Sequence, residues 1–308
     1  MVRNRLQVNL LFATTYGRKY GWDTWRRLRA YAEDEGIVSK GRNPSHRSTA
    51  RNTTDSWDRL TVAPGYALPY RDRRRREELF MDIDRVRRLV EFDTPTVANG
   101  LERIGVRDPS FGYTGPDVRS LMPESGARVG IAVTARMDTT SPGFENPPSM
   151  FDAWIRLMVE VAERHGPATP IFAVMESVGL RPRYTVTIGD GMGTVMRLAG
   201  AVGFLTNGSI RDLEGVRGVP LPCWAAGVSP MHGIMSWLDV GSPVVIDGAT
   251  VRTGDVIHAD ENGALVIPPA VADRVIDEAA AVRAAEAAFF AKLRAPGMTI
   301  QEYLRGGE

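Results

Sequence analysis

Cysteine and lysine are nearly absent from this chain. One cysteine, Cys223, stands among 308 residues. That excludes an internal disulfide framework and a multi-cysteine metal site, and it fits a reducing cytoplasm. Lysine occurs only at Lys19, Lys40 and Lys292; arginine supplies the rest of the 38 basic residues. Only Lys292 lies in the part that reads as folded, which disfavours a lysine Schiff base and a phosphate-loop lysine. No run approaches the roughly 18 apolar residues of a membrane span. Leu6–Ala13 follows Arg3 and Arg5, but Gln7 and Asn9 interrupt it and no small-residue cleavage site follows, so it does not read as a signal peptide. The expectation is a cytoplasmic protein with no membrane partner.

What is present is enough apolar material for a core, 43% of residues, at a net charge of +1. The charge is unevenly spread. Residues 1–76 hold 17 Lys+Arg against 7 Asp+Glu, and residues 77–308 hold 21 against 30. Gly36–Thr54 is almost wholly polar and Arg71–Arg76 is a charge block. Residues 1–76 therefore read as a basic, disordered extension, or as sequence upstream of a true start near Met81. A nucleic-acid-binding arm is the less favoured alternative.

From Glu77 onward the texture is that of a domain. Apolar spacing predicts a helix over Asp82–Phe92, and Thr94-Pro95 reads as the N-cap and first turn of a helix closed by Gly105. Arg128–Arg136 is strand-like, Met150–His165 helical, and Pro170–Met175 and Tyr184–Ile188 are short strands. A helix over Thr194–Ala201 and a strand over Gly203–Thr206 follow. Further strands are expected at Pro222–Ala226, Pro243–Ile246, Val251, Asp255–His258 and Ala264–Ile267, with a hairpin turn at Asp260–Gly263. A long helix, Ala270–Leu293, closes the chain. This order predicts one layered α/β domain over residues 77–308.

The most informative stretch is Tyr184–Glu214. A strand runs into Gly189, Gly191 and Gly193 and then into a helix, so backbone N–H groups of Gly189–Met192 can face an anion at a helix N-terminus. A dinucleotide fold fits poorly, because Thr194 stands where the third glycine belongs and Asn207 where an acid belongs. The unit also brings Arg211-Asp212 back toward the loop. Arg211 is suited to bidentate binding of a carboxylate. Asp212 is a hard oxygen ligand for Mg²⁺ or Mn²⁺, and Asp190 could orient a water there.

The segment from Gly189 to Arg211-Asp212 resembles the class II pyruvate aldolases that cleave 4-hydroxy-4-methyl-2-oxoglutarate, a family that also contains the RraA-like regulators of ribonuclease activity. The likeness continues through Gly227–Pro230, Pro243–Ile246, Gly254–Ile257 and Asp260–Gly263, and begins near Thr94–Gly100. It covers roughly residues 80–295. The resemblance implies a layered αββα sandwich of the swivelling β/β/α type with a long C-terminal helix. It implies Arg211 on the pyruvyl carboxylate, Asp212 on the divalent metal, Gly189, Asp190, Gly191 and Met192 around the substrate, and no organic cofactor. It also implies a homotrimer or homohexamer, with an acid from a neighbouring C-terminal helix at the site. Glu286 is taken for that acid, because it falls on the apolar stripe Val275, Ala279, Val282, Phe289 and Leu293, where a carboxylate is costly unless partnered. Two departures stand out: Gly215 where the family commonly has an acid, with Glu214 one residue earlier, and Asn207 where many members have Asp.

These readings together imply metal-dependent cleavage of a 4-hydroxy-2-oxo acid of the 4-hydroxy-4-methyl-2-oxoglutarate or 4-carboxy-4-hydroxy-2-oxoadipate type, with release of pyruvate. Oxaloacetate decarboxylation is expected as a side activity. The alternative is a non-catalytic regulator that binds a ribonuclease. His165, at a helix end where a charged ring would suit the dipole, reads as structural. His258 and Cys223 also read as structural, and His232 as a loop residue after Ser229-Pro230 that could line the site.

Overall fold

The structure, a computed structural model, describes residues 81–140, 149–166 and 168–305. The expected basic extension, residues 1–76, lies outside the described residues. The helices are α1 (Ile83–Arg87), α2 (Thr94–Ile104), α3 (Ser149–His165), α4 (Asp190–Leu198), α5 (Leu213–Gly218), α6 (Ala272–Leu293) and α7 (Ile300–Arg305). The strands are β1 (Arg119–Ser120), β2 (Arg128–Asp138), β3 (Ile171–Ser177), β4 (Val186–Ile188), β5 (Ala201–Thr206), β6 (Ser209–Ile210) and β7 (Cys223–Ala225), followed by β8 (Gly227–Val228), β9 (Ser236–Val240), β10 (Val244–Ile246), β11 (Ala249–Val251), β12 (Val256–Asp260) and β13 (Gly263–Ile267).

Eight strands form one mixed sheet in the order β1-β7-β5-β3-β2-β12-β13, with β9 also paired to β2. β2, β3, β5 and β7 are parallel, and β12 and β13 add antiparallel strands beyond β2. The period-2 alternation of β2 explains the layering. Ile131, Val133, Ala135 and Met137 face a core shared with Leu89, Trp154, Val275 and other helix residues. Ala132 faces the opposite way, into a second core with Phe172, Trp224, Val244, Ile246 and Val251, which the β10–β11 hairpin covers. A strand covered on both faces must be apolar almost throughout, as this one is. The result is the layered α/β domain with a long C-terminal helix that the sequence implies.

Local chemistry moves several boundaries. Asp93, not Thr94, caps α2: its carboxylate accepts from the Thr96 amide at 2.7 Å. Thr94 is committed to distant partners. Its amide donates to Asp260 Oδ2 at 2.7 Å and its hydroxyl meets His258 Nδ1 at 2.9 Å. Gly105 ends α2 in the left-handed region, φ 72°, as expected. The predicted helix at Asp82–Phe92 is one α-turn followed by a 3₁₀ turn, Arg88–Glu91. Asp260 and Gly263 pair directly across a two-residue turn, with Asp260 Oδ1 accepting from the Asn262 amide at 2.8 Å.

His258 is fully buried, and its Nε2 lies 3.0 Å from the Leu89 carbonyl. A carbonyl only accepts, so the proton sits on Nε2 and Nδ1 accepts from Thr94. Burial pushes the His258 pKa down, which keeps the ring neutral. His165, at the end of α3, is also shifted down by burial and then by Arg164, against the expectation of a charged ring there. Cys223 is a core residue whose thiol burial shifts upward. Among the described residues no helix is long and apolar enough to cross a membrane.

Candidate functional site

A second, smaller sheet builds the site. β4, β6 and β8 are parallel, in that order. Their C-terminal ends deliver three segments to one edge: Gly189 after β4, Arg211-Asp212 after β6 and Ser229-Pro230 after β8. The ladder continues into these segments, with the Arg211 amide donating to the Ile188 carbonyl at 3.0 Å and Ser229 to Ile210 at 2.9 Å. Ligands of open parallel sheets bind beyond the strands' carboxyl ends, where the loops diverge. β6 and β8 are two residues each and α5 six, too short for periodicity to reveal.

Gly189 and the Arg-Asp pair are in contact. A Cβ on Gly189 would stand 2.5 Å from Asp212 Oδ2 and 3.2 Å from Arg211 Nε. Gly189 itself is extended, φ −125°, so space rather than backbone conformation demands glycine. Arg211 Nε and Asp212 Oδ2 pair at 3.1 Å, with side chains 34% and 39% exposed. The pair is neither buried nor fully solvated. Nε takes the ion pair, and among the described residues the two terminal guanidinium nitrogens and Asp212 Oδ1 carry no protein partner. Asp212 adopts φ 53°, ψ 44°, a left-handed conformation uncommon outside glycine but tolerated by Asp. No sequence signal announced that.

The glycine loop is not a loop but the first turn of α4, with Gly189 as N-cap and no side-chain cap. The expected start at Thr194 is therefore four residues late. The first-turn amides of Asp190 and Met192 have no carbonyl four residues earlier to bond. The Gly191 amide differs: Asp190 Oδ1 takes it at 2.7 Å. The Met192 side chain packs against the main core.

Asp190 also explains Gly215. A Cβ at position 215 would meet Asp190 Oδ2 at 2.6 Å and its Cβ at 2.7 Å. The Asp190 carboxylate thus occupies the space over α5 that a side chain at 215 would need. Glu214 does not substitute there; it is 92% exposed and pairs with Arg217 at 3.3 Å. Asn207 holds the ends of β3 and β5 together. Its Oδ1 accepts from the Ser177 amide at 2.6 Å, and its Nδ2 donates to the Ser177 carbonyl at 3.1 Å.

Glu286 is not brought to this group within one chain. Its hydrogen-bond partner is Asn99 Nδ2 on α2, at 3.5 Å, and the two line a groove of about 470 Å³ between α2 and α6. The stripe on which it was placed packs only in its first half. Val275, Ala279 and Val282 are buried, while Phe289 is 45% exposed. Arg283 stands over the Phe92 ring, 4.0 Å from its centroid. His232 is exposed, on a loop whose Gly233 packs against Thr139.

Among the described residues no group of three or more His, Cys, Asp or Glu side chains could hold a metal together. A dication here would rest on Asp212. One half-exposed carboxylate with an oxygen free of protein partners, seated on a glycine with no side chain, suits Mg²⁺ or Mn²⁺, which keep most of their waters.

The RraA-like family (Aldolase/RraA) matches residues 94–266, more than half of the chain and the whole of this site. The chain belongs to the RraA-like family. Among curated relatives it is 26% identical over 117 residues to a Halalkalibacterium halodurans protein named "putative 4-hydroxy-4-methyl-2-oxoglutarate aldolase", covering 38% of this chain and 56% of that one. A protein of the same name from Laribacter hongkongensis is 31% identical over 87 residues, 28% of this chain and 55% of that one. Protein DlpA of Legionella pneumophila is 32% identical over 87 residues, 28% of this chain and 14% of DlpA. The RraA-like chain thus spans little more than half of these relatives at most. Two solved structures share its fold. An uncharacterised protein of Pseudomonas syringae pv. tomato aligns with TM-score 0.54 at 22% identity, over 72% of this chain and 97% of the other. RraAS2 of Streptomyces coelicolor, an unusual member of the RNase ES inhibitor RraA family, aligns with TM-score 0.52 at 22% identity, over 68% and 96%.

Proposed function

We propose that this RraA-like protein is a cytoplasmic lyase that cleaves a 4-hydroxy-2-oxo acid to pyruvate and a second carbonyl compound, using Mg²⁺ or Mn²⁺. The observation that carries the reading is the contact of Gly189 with both Arg211 and Asp212 at the C-terminal edge of β4, β6 and β8. Two aldolase-named relatives support the reaction class.

The free end of the Arg211 guanidinium grips the substrate carboxylate in a two-point contact. The amides of Asp190 and Met192 turn toward the same anion, at the positive end of α4. Asp212 would hold the dication, which when bound would supply Lewis-acid stabilisation of developing negative charge. In the cleavage the C4 hydroxyl loses its proton and C4 becomes a carbonyl carbon. The C3–C4 electron pair remains with the pyruvate enolate, which is then protonated at C3. Asp190 carries the C4 hydroxyl proton away, aided by Glu286 of a neighbouring copy in a homotrimer or homohexamer. Arg211 holds positive charge beside the enolate throughout. Oxaloacetate loses carbon dioxide through the same enolate, so its decarboxylation accompanies the aldolase activity.

The test is pyruvate release from a panel of 4-hydroxy-2-oxo acids and from oxaloacetate, with Mg²⁺ or Mn²⁺ and then with a chelator. Metal-dependent release supports the proposal. No release from any substrate, with capture of a ribonuclease instead, would favour the non-catalytic regulator.

A further inference from the structure

Arginines from three separate elements converge on a groove of about 380 Å³, lined also by Val90, Val129 and Pro170. Arg87 comes from the last turn of α1, Arg128 from the first residue of β2 and Arg197 from the last turn of α4. The groove sits where β2, β3 and β5 begin, because Pro170, Gly200 and Val202 line it too. The candidate aldolase site lies at the opposite end of α4. Seven residues separate Asp190 from Arg197, or roughly 10 Å of helix rise.

Each guanidinium has a local tie. Arg87 donates to the Ala168 carbonyl, Arg128 to the Ser125 and Ala127 carbonyls at 2.6 and 2.9 Å, and Arg197 to the Ala201 carbonyl. Those ties fix the side chains without neutralising them, because a carbonyl carries no net charge. Among the described residues no carboxylate lines the groove. Arg87 has one acidic partner, Asp84 at 3.6 Å, itself 92% exposed. Arg128 and Arg197 have none among the described residues. Burial, and then the nearby Arg197, shift the Arg128 pKa down.

We infer that this groove is an anion site for a small molecule bearing a diphosphate group. Three guanidinium groups, each held by a carbonyl, present planar donors of the kind that match phosphate oxygens. Three positive charges balance the roughly three negative charges of a diphosphate, whereas a single carboxylate would leave two in excess. The apolar wall of Val90, Val129 and Pro170 accepts an uncharged body attached to it, and the volume suits a small ligand. This inference does not depend on the aldolase reading.

The experiment is calorimetric titration of the full chain with inorganic pyrophosphate in metal-free buffer, with citrate as an anion of similar charge and different geometry. Expected are saturable one-to-one binding of pyrophosphate, weakening with salt, and binding of citrate at least about tenfold weaker. Arg128→Gln and Arg197→Gln should each weaken pyrophosphate about tenfold or more. Arg128→Lys, which keeps the charge, should lose less. Arg211→Gln, at the other end of α4, should bind pyrophosphate as the parent does. Melting curves identify any variant that fails to fold, and Arg87→Gln, on an exposed position, then serves in its place. Absence of binding, binding unchanged in the groove variants, equal binding of citrate, or binding lost only in Arg211→Gln would each overturn the inference.

Discussion

The carboxylate of Asp190 stands in the space that a side chain on Gly215 would fill, 2.6 Å from where its Cβ would be. Gly215 lies inside α5, where alanine would ordinarily stabilise the helix by up to ~1 kcal/mol. The clash reaches the Asp190 Cβ at 2.7 Å as well as its carboxylate, so Gly215→Ala should lower the melting temperature in spite of the helix propensity gained, while displacing Asp190. Pyruvate release should fall by about tenfold or more, the scale of a misplaced acid–base group. Unchanged turnover in a folded variant would remove Asp190 from the chemistry.

Arg211 touches Gly189 and Asp212 through its Nε side and offers its terminal nitrogens outward. Arg211→Lys keeps the charge but loses the fork. We expect kcat/KM for pyruvate release to drop about ten- to a hundredfold, from the loss of a charge-assisted two-point contact. Steady-state kinetics at saturating metal read this out.

Asn207 bonds the Ser177 backbone both as acceptor and as donor. Asn207→Asp removes the donor and sets a carboxylate against the Ser177 carbonyl. Stability should fall by about 2 kcal/mol, read as a shift in the denaturant midpoint. Asn207 thus completes the β3–β5 ladder, and an acid at this position would need a different partner.

Burial depresses the His258 pKa in the folded chain, so below the usual value of about 6.5 the unfolded chain binds more protons. The stability held by the neutral ring is fully present above pH ~6.5. It is lost as pH falls from there toward the folded pKa, with a limiting slope near 1.4 kcal/mol per pH unit for one group. Denaturation curves between pH 8 and 5 should show this decline. In His258→Asn it should be shallower, though not flat, because His165 shifts in the same direction.

The fold was legible in the sequence where periodicity and turn chemistry agreed. The apolar run of β2, the Gly105 cap, the Asp260–Gly263 hairpin and the strand at Pro243–Ile246 all followed from residue types alone; the pairing of β10 with β11 did not. The approach of Gly189 to Arg211-Asp212 was expected from strand, helix and return strand, but it is β6, paired with β4 in the second sheet, that delivers it. What escaped depended on tertiary partners. Thr94 looked like a cap because its hydroxyl gave no sign of His258, 164 residues away. The helix at Asp190 began early because bare glycines concealed a first turn. Glu286 lay on an apparent apolar stripe, but the second half of α6 is largely exposed, with Asn99 on Glu286 and Tyr303 against Phe289. Asp212's left-handed backbone and the three-arginine groove come from contacts between distant segments and leave no local pattern.

The central claim is that Asp212 holds the dication on which pyruvate release depends. It is tested most directly by measuring oxaloacetate-derived pyruvate from Asp212→Ala beside the parent protein, across a Mg²⁺ or Mn²⁺ titration. The account predicts metal-saturable release in the parent and nearly none in Asp212→Ala at any metal concentration, with the melting temperature retained. Full metal-dependent turnover in that variant would contradict it.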